Sequence, residues 1–212
     1  MRPPRVAIGV MAKAPVPGYA KTRLIPLLGA DGAAALQQQL ILRTVALARS
    51  VSPTLLQLFV GGDAAHPLWA QCDRDHGAQL SPQRGDDLGV RMRDALLSMR
   101  QQADVAIVIG TDCVAMQAAH IQAAAAALAS ARMVFIPADD GGYVLVGARE
   151  PHPAAFTTSI DWGSERVMQQ TRDALSSQGW RSPDDWRELP PLWDIDRPED
   201  YQRALQLGAL VR

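Results

Sequence analysis

The chain has 212 residues, 48% apolar and 20% charged, with 21 Lys and Arg against 22 Asp and Glu for a net charge of −1. That composition supports a sizeable packed core and excludes a disordered or collagen-like chain. The near-neutral balance, without a basic block, gives duplex nucleic acid or an anionic membrane nothing to recognise, while a local phosphate site stays compatible with it.

Short β-branched runs alternate with longer segments of helical period, the pattern of βαβ units around a largely parallel sheet, so the fold class is α/β. A first strand is expected over residues 5–11, followed by a Pro/Gly loop over 14–18. A helix over 31–50 comes next, with Asp31 as its N-cap and Leu36, Leu40, Leu47 and Val51 on one face. Residues 54–60 read as the second strand, 66–76 as a short helix stopped by Gly77, and 78–80 as a brief third strand. The apolar spacing of Leu88, Met92, Ala95, Leu96 and Met99 predicts a helix over 87–102. Residues 105–109 read as a strand buried on both faces. An Ala-rich helix over 116–129, strands over 133–137 and 143–147, and a helix over 164–177 continue the order. An irregular stretch runs to Pro191, and a last helix starts at Pro198. Neither a linker nor a repeat is visible, so one domain over 1–212 is expected, its last third laid across the open edge or mouth of the sheet.

Cys72 and Cys113 lie far apart and form no CxxC pair, which speaks against a disulfide framework or a structural zinc site and fits a reducing cytoplasm. Arg2 and Arg5, the apolar run 6–12 and Ala12-Lys13-Ala14 imitate a secretory signal, but the run is short and contains Gly9. No stretch approaches the ~20 apolar residues of a membrane-spanning helix.

In open α/β sheets ligands bind at the carboxyl ends of the strands, so polar residues directly after apolar runs come first. Asp112 follows the run 105–109 and is placed to hold Mg²⁺ or Mn²⁺ against a diphosphate, or to cap the next helix. The chain has nineteen arginines but only Lys13 and Lys21 as lysines, both in the loop after the first strand. With Arg23 they offer three cations for nucleotide phosphates, or simply a solvated loop. Gly18-Tyr-Ala-Lys21-Thr22 lacks the glycine that a P-loop places before its lysine, and no GxGxxG fingerprint follows the first strand. Gln83 and Gly85 sit where a base edge and a close backbone approach are expected, while Asp87 suits an N-cap.

Asp139-Asp140-Gly141-Gly142-Tyr143 joins two predicted strands, either as a hairpin turn or as an acceptor pocket beside Asp112. Asp161 and Trp162 stand before a helix as a substrate wall, or as a helix entry with a packed indole. Asp194 and Asp196, two apart on an extended segment, face the same way, and either one completes a metal site with Asp112 unless both serve the last helix. The four histidines show no metal or triad spacing, and no GxSxG elbow is present.

Lys13-Ala-Pro-Val-Pro-Gly-Tyr-Ala-Lys21-Thr-Arg23-Leu, residues 83–92, Ile109-Gly-Thr-Asp112-Cys, Pro137-Ala-Asp-Asp140-Gly-Gly-Tyr143, Trp162 and Asp194-Ile-Asp196-Arg-Pro-Glu-Asp200 together resemble the bacterial GT-A-like uncharacterised glycosyltransferases of the arsenosugar-biosynthesis type. The resemblance covers residues 6–207 and implies a three-layer, Rossmann-like α/β/α fold with a mostly parallel sheet. Lys21-Thr-Arg23-Leu-Ile-Pro and Asp140-Gly-Gly are also similar to the guanylyltransferases acting on phospholactate or phosphoenolpyruvate. Asp196-Arg-Pro-Glu-Asp200 is similar to a stretch of the sugar-acid cytidylyltransferases and molybdenum-cofactor guanylyltransferases, which implies Asp196 beside Asp112 at the metal. Arg197 stands where those relatives have Thr, and Val114 where a proline is common.

The combined reading is a Mg²⁺- or Mn²⁺-dependent transferase, with Asp112 and Asp196 on the metal and Lys13, Lys21 and Arg23 on phosphates. Gln83 and Gly85 attend the base; Asp140, Gly141, Gly142, Tyr143 and Trp162 form the acceptor side, with Asp140 or Asp161 as base. Glycosyl transfer from a nucleotide sugar leads. Guanylyl or cytidylyl transfer to a small phosphorylated or carboxylate acceptor is the alternative, and a nucleotide-binding protein without turnover is the third.

Overall fold

The computed structural model describes Arg2 and residues 4–210; the outermost residues of the expected 1–212 domain lie outside these. Seven strands form one sheet: β1 (Val6–Lys13), β2 (Leu55–Gly61), β3 (Gln79–Pro82), β4 (Val105–Gly110), β5 (Met133–Pro137), β6 (Tyr143–Ala148) and β7 (Trp186–Glu188). Their order is β3-β2-β1-β4-β6-β5-β7, with β6 antiparallel to both neighbours and every other pairing parallel. Six α-helices accompany them: α1 (Ile25–Ser50), α2 (Pro67–His76), α3 (Leu88–Arg100), α4 (Ala118–Ala127), α5 (Val167–Ser177) and α6 (Pro198–Gln206).

Alternation along the strands splits the core into two faces. Ile8, Val10, Ile107, Ile109, Val134 and Ile136 point to the side packed by α1, α2 and α4. Ala7, Phe59, Ala106, Val108, Met133 and Phe135 point to the side packed by α3 and α5. The result is the expected three-layer α/β arrangement. Gly9 is needed on the second face, where a Cβ would stand 2.8 Å from both Met99 and Phe59. A third cluster, Leu24, Leu40, Val114, Ile195 and Ala204, fastens α6 and the segment before it to the start of α1.

The reversed strand decides what reaches the crevice. Because β6 runs against β4 and β5, the tight turn between β5 and β6 lies at the same sheet edge as the carboxyl ends of β1 and β4. The hairpin expected from Asp-Gly is therefore present, with Gly141 at φ 91°. Two expectations are corrected. Asp31 is not an N-cap: α1 already begins at Ile25, with Pro26 in its first turn, and breaks at Gly29 (φ 71°, ψ 169°). Part of the irregular stretch before Pro191 is β7, which covers the edge of β5 as a three-residue strand. Asp87 and Gly77 cap α3 and α2 as read from the sequence.

Candidate functional site

Lys21 is the centre of the site. It ends the loop after β1 in a left-handed conformation (φ 46°, ψ 46°), uncommon for a residue with a side chain, and opens a 3₁₀ turn at Thr22–Leu24. Its side chain is 6% exposed, and its Nζ lies 2.8 Å from Asp112 Oδ2, 3.3 Å from Asp196 Oδ1 and 2.5 Å from the Ile195 carbonyl. The ammonium thus donates to Ile195 and Asp196 and is ion-paired with Asp112 as well, the company a buried charge requires. Arg23 adds a second cation, 3.0 Å from Asp196 Oδ2. Lys13 stays exposed and donates to the Tyr19 carbonyl at 3.0 Å.

Asp112 is held from behind by a buried polar chain. Thr111 Oγ1 donates to Asp112 Oδ1 at 3.0 Å, Gln37 Nε2 donates to Thr111 Oγ1 at 3.2 Å, and Thr44 Oγ1 donates to the Thr111 carbonyl at 3.3 Å. Gln37 and Thr44 sit on the sheet-facing side of α1 and are buried. Sequence reasoning missed both. Their signal was two polar residues in register with Ile41 and Ala48 on an apolar helix face.

The last segment arrives as a strap. Ile195 N donates to the Asp112 carbonyl at 3.0 Å, and Leu192 N to the Pro137 carbonyl at 3.0 Å, so Asp194 and Asp196 are set beside the ends of β4 and β5. The Asp200 carboxylate accepts from the amides of Asp196 and Arg197, at 3.1 and 2.8 Å, and so caps α6 where Arg197 has no accepting side chain. Carboxylate oxygens of Asp140, Asp194 and Asp196 fall within 4.8 Å of one another, a spacing suited to one divalent ion. Asp194 is pushed up to about 7, first by burial and then by Asp140, Asp196 and Asp112, with Lys21 opposing.

Two cavities meet here. The larger, about 510 Å³, is lined by Lys13, Lys21, Arg23, Gln37, Gln83, Thr111, Asp112 and Asp196. The smaller, about 160 Å³, is lined by Leu88, Met92, Asp140, Gly142, Tyr143, Trp162 and Asp194 among others. Lys13, Lys21, Arg23, Gln83, Asp112 and Asp196 therefore converge, and Asp140, Gly142, Tyr143 and Trp162 converge beside them.

Other expected roles are corrected. Asp161 reaches neither cavity; it is half exposed and paired with Arg166 at 2.5 Å. Gly85 lies outside the cavity walls, where its φ of 129° shapes the turn into α3 and its carbonyl accepts from Arg91. Gly141 is a packing residue: a Cβ there would lie 1.9 Å from the Glu165 carbonyl oxygen. Gln83 Nε2 is committed to the Ala12 and Phe59 carbonyls at 3.0 Å each, which leaves only its Oε1 for a base. The Tyr143 hydroxyl is buried without a partner, so the ring is the part that meets the cavity. Asp112 is joined to Asp196 through Lys21, and the carboxylates in closest company are Asp140, Asp194 and Asp196. Burial pushes Cys113 up to about 12 and Cys72 up to about 11, which leaves both thiols protonated and out of the chemistry.

A family model described as "Uncharacterized protein conserved in bacteria (DUF2064)" matches residues 42–164, more than half of the chain. The chain belongs to the DUF2064 family. Among solved structures, this DUF2064 protein is similar to a provisionally assigned nucleotide-diphospho-sugar transferase from Desulfovibrio desulfuricans G20. The two are 29% identical over 91% of this chain and 83% of that one, at a TM-score of 0.79. It shares its fold with 4-diphosphocytidyl-2C-methyl-D-erythritol synthase from Anaerococcus prevotii DSM 20548 (10% identity, 97% and 98% of the two chains, TM-score 0.60). The same holds for glucosyl-3-phosphoglycerate synthase from Mycobacterium tuberculosis, solved with Mn²⁺, uridine diphosphate and glucosyl-3-phosphoglycerate (11%, 97% and 77%, TM-score 0.51). A search of the curated proteins gave no match. The DUF2064 chain thus has the fold of nucleotide-diphospho-sugar transferases and nucleotidyltransferases, and no helix among its described residues is long and apolar enough to cross a membrane.

Proposed function

We propose that this chain is a divalent-metal-dependent transferase that takes a nucleoside-diphosphate sugar and moves its glycosyl group to a small acceptor. The observation that carries this reading is the Lys21 ammonium between Asp112 and Asp196, in a cavity of nucleotide size that also holds Lys13 and Arg23. A diphosphate needs both positive side chains and a hard cation, and the carboxylate oxygens of Asp194 and Asp196, within 4.8 Å of each other, suit Mg²⁺ or Mn²⁺, with Asp112 facing Asp196 across Lys21. Such an ion, when bound, stabilises charge on the departing nucleoside diphosphate. The Mn²⁺ and uridine diphosphate held by the synthase of the same fold support this choice.

The chain's own residues divide the remaining work. Lys13, Lys21 and Arg23 offset phosphate charge, and the Gln37–Thr111 pair keeps Asp112 oriented. Asp140, at the wall of the smaller cavity, is the base for an inverting transfer. The acceptor hydroxyl gives its proton to Asp140 as its oxygen bonds to the sugar carbon. The bond from that carbon to the diphosphate breaks, and its electron pair leaves with the nucleoside diphosphate.

The three cations of one loop favour a second reading, nucleotidyl transfer. There an acceptor phosphate or carboxylate attacks the α-phosphorus in line, and Lys21 and Arg23 bear the charge of departing pyrophosphate. Calorimetry of nucleoside triphosphates, nucleoside diphosphates and nucleotide sugars with Mn²⁺, on wild type and Asp112→Ala, separates the two. The first reading expects a nucleotide sugar or diphosphate to bind best, at least about tenfold more weakly in Asp112→Ala. Preference for one triphosphate selects the second, and unchanged affinity in Asp112→Ala removes Asp112 from the site.

A further inference from the structure

We propose that Lys21 gates the metal site: its ammonium and a divalent ion exclude one another at Asp112 and Asp196, and the donor's diphosphate admits the ion by taking over the ammonium. The inference rests on the transferase reading above and adds the regulation of that same site.

Asp196 is approached from two sides. It belongs to the carboxylate group formed with Asp140 and Asp194, while its Oδ1 faces the Lys21 Nζ at 3.3 Å and its Oδ2 faces Arg23 at 3.0 Å. Both oxygens of Asp196 thus already carry a cation, and an ion that takes either one meets a positive charge at close range. At Asp112 the conflict is sharper, because Oδ2 lies 2.8 Å from the same Nζ and Oδ1 accepts from Thr111. Hard ions bind carboxylate oxygens at ~2.0–2.6 Å, so an ion joining Asp112 to Asp196 needs the space that the ammonium fills.

The two cations differ in what they block. Lys21 is 6% exposed, reaches both carboxylates and donates to the Ile195 carbonyl as well, whereas Arg23 is 64% exposed and reaches Asp196 alone. An exposed pair is readily given up, and a buried one is not. The ammonium also has a destination. Lys21 lines the cavity of about 510 Å³ together with Lys13 and Arg23, where diphosphate oxygens replace the carboxylates as its acceptors. Donor and ion are thereby coupled: each binds more tightly beside the other, and the chain alone resists loading with metal.

Two measurements on the full chain, both with Mn²⁺ and without nucleotide, test the gate. By electron paramagnetic resonance of free Mn²⁺, Lys21→Met is expected to bind the ion at least about tenfold more tightly than wild type, and Arg23→Met no more than about threefold more tightly. Equal tightening in the two variants makes Lys21 one charge among several and overturns the proposal, as does unchanged affinity in Lys21→Met or no binding by it at all. The second measurement needs no variant. Lys13 and Lys21 are the only lysines and Lys13 is exposed, so acetylation of Lys21 by acetic anhydride is scored against Lys13 by mass spectrometry. Saturating Mn²⁺ should raise the ratio of Lys21 to Lys13 acetylation at least about threefold as the ammonium is expelled, and an unmoved ratio shows that the ion binds without displacing it. If no nucleoside diphosphate binds wild type in calorimetry with Mn²⁺, the transferase reading and the donor's part in the exchange fail, while the exclusion of ion by ammonium is still decided by metal alone.

Discussion

At the scale of single residues, the site depends on polar groups that orient other side chains. Thr111 passes one hydrogen bond to Asp112 and receives one from Gln37, both through the same hydroxyl. Thr111→Val keeps the shape, removes both bonds and strands the buried Gln37 amide, at a cost of about 1–3 kcal/mol. A fall in melting temperature of about 2–4 °C per kcal/mol is expected, together with weaker Mn²⁺ binding; unchanged values in both would show that the relay does not orient Asp112. Asp194 makes a pH prediction. Its folded-state value is raised from 3.8 to about 7, so the native state holds this proton more tightly than the unfolded chain. Its contribution is fully present below about pH 4 and is lost as pH rises to 7. In metal-free protein, the melting temperature of Asp194→Asn should rise relative to wild type between pH 5 and 8; a constant difference would contradict the buried acid. Asp112, Lys21 and Arg23 were legible because each follows a strand that the apolar pattern marks. Gln37 and Thr44 were not, because a polar residue on an apolar helix face becomes meaningful only once its partner across the core is known.

Between residue and fold lie the elements, and the β5–β6 turn shows how one of them joins two others. Gly141 turns the chain at φ 91°, and its carbonyl accepts from Met168 N at 2.8 Å, so the hairpin is tied to the first turn of α5. Gly141→Ala brings a Cβ against the Glu165 backbone in a conformation that a side chain strains. A loss on the order of 3 kcal/mol follows from strain and overpacking together, read as a melting temperature lower by about 6–12 °C. A shift below that range would mean that α5 slides away without consequence. The sequence left this segment open between a hairpin turn and an acceptor pocket; Asp-Gly between two apolar runs suits the turn that is found. The opposite case is β7: Trp186-Arg-Glu carries no alternating apolar pattern, and an edge strand of three residues is specified by its neighbour β5 more than by its own side chains. At Asp31 a good capping residue misled only locally, since the helix that follows starts directly after the break at Gly29 and is preceded by a short turn begun at Ile25 and Pro26.

For the whole molecule, the alternation of strands and helices was sufficient to read a three-layer α/β fold, because fully buried runs such as residues 105–109 need helices on both faces. The direction of β6 is less visible along the chain, since an antiparallel strand buried on both faces carries the same apolar run as a parallel one. The strap over residues 189–196 has consequences for how the molecule opens. It is secured by scattered bonds to Phe135, Pro137, Asp139 and Asp112 and by the Lys21 bond to the Ile195 carbonyl, whereas β1 and β4 are paired continuously from Val6 to Met11. Partial opening should therefore release the strap and α6 while the sheet persists. Amide exchange is expected to be faster at Ile195 than at Ile107, and equal rates would mean that the two open together. Lys21 and Asp196 stand 175 positions apart, so the contact between them closes nearly the entire chain into a loop. A growing polypeptide cannot form it until Asp196 has been made. A folding chain should thus acquire its layered body first and its capacity to bind afterwards, and mild denaturant should silence the protein before it unfolds it.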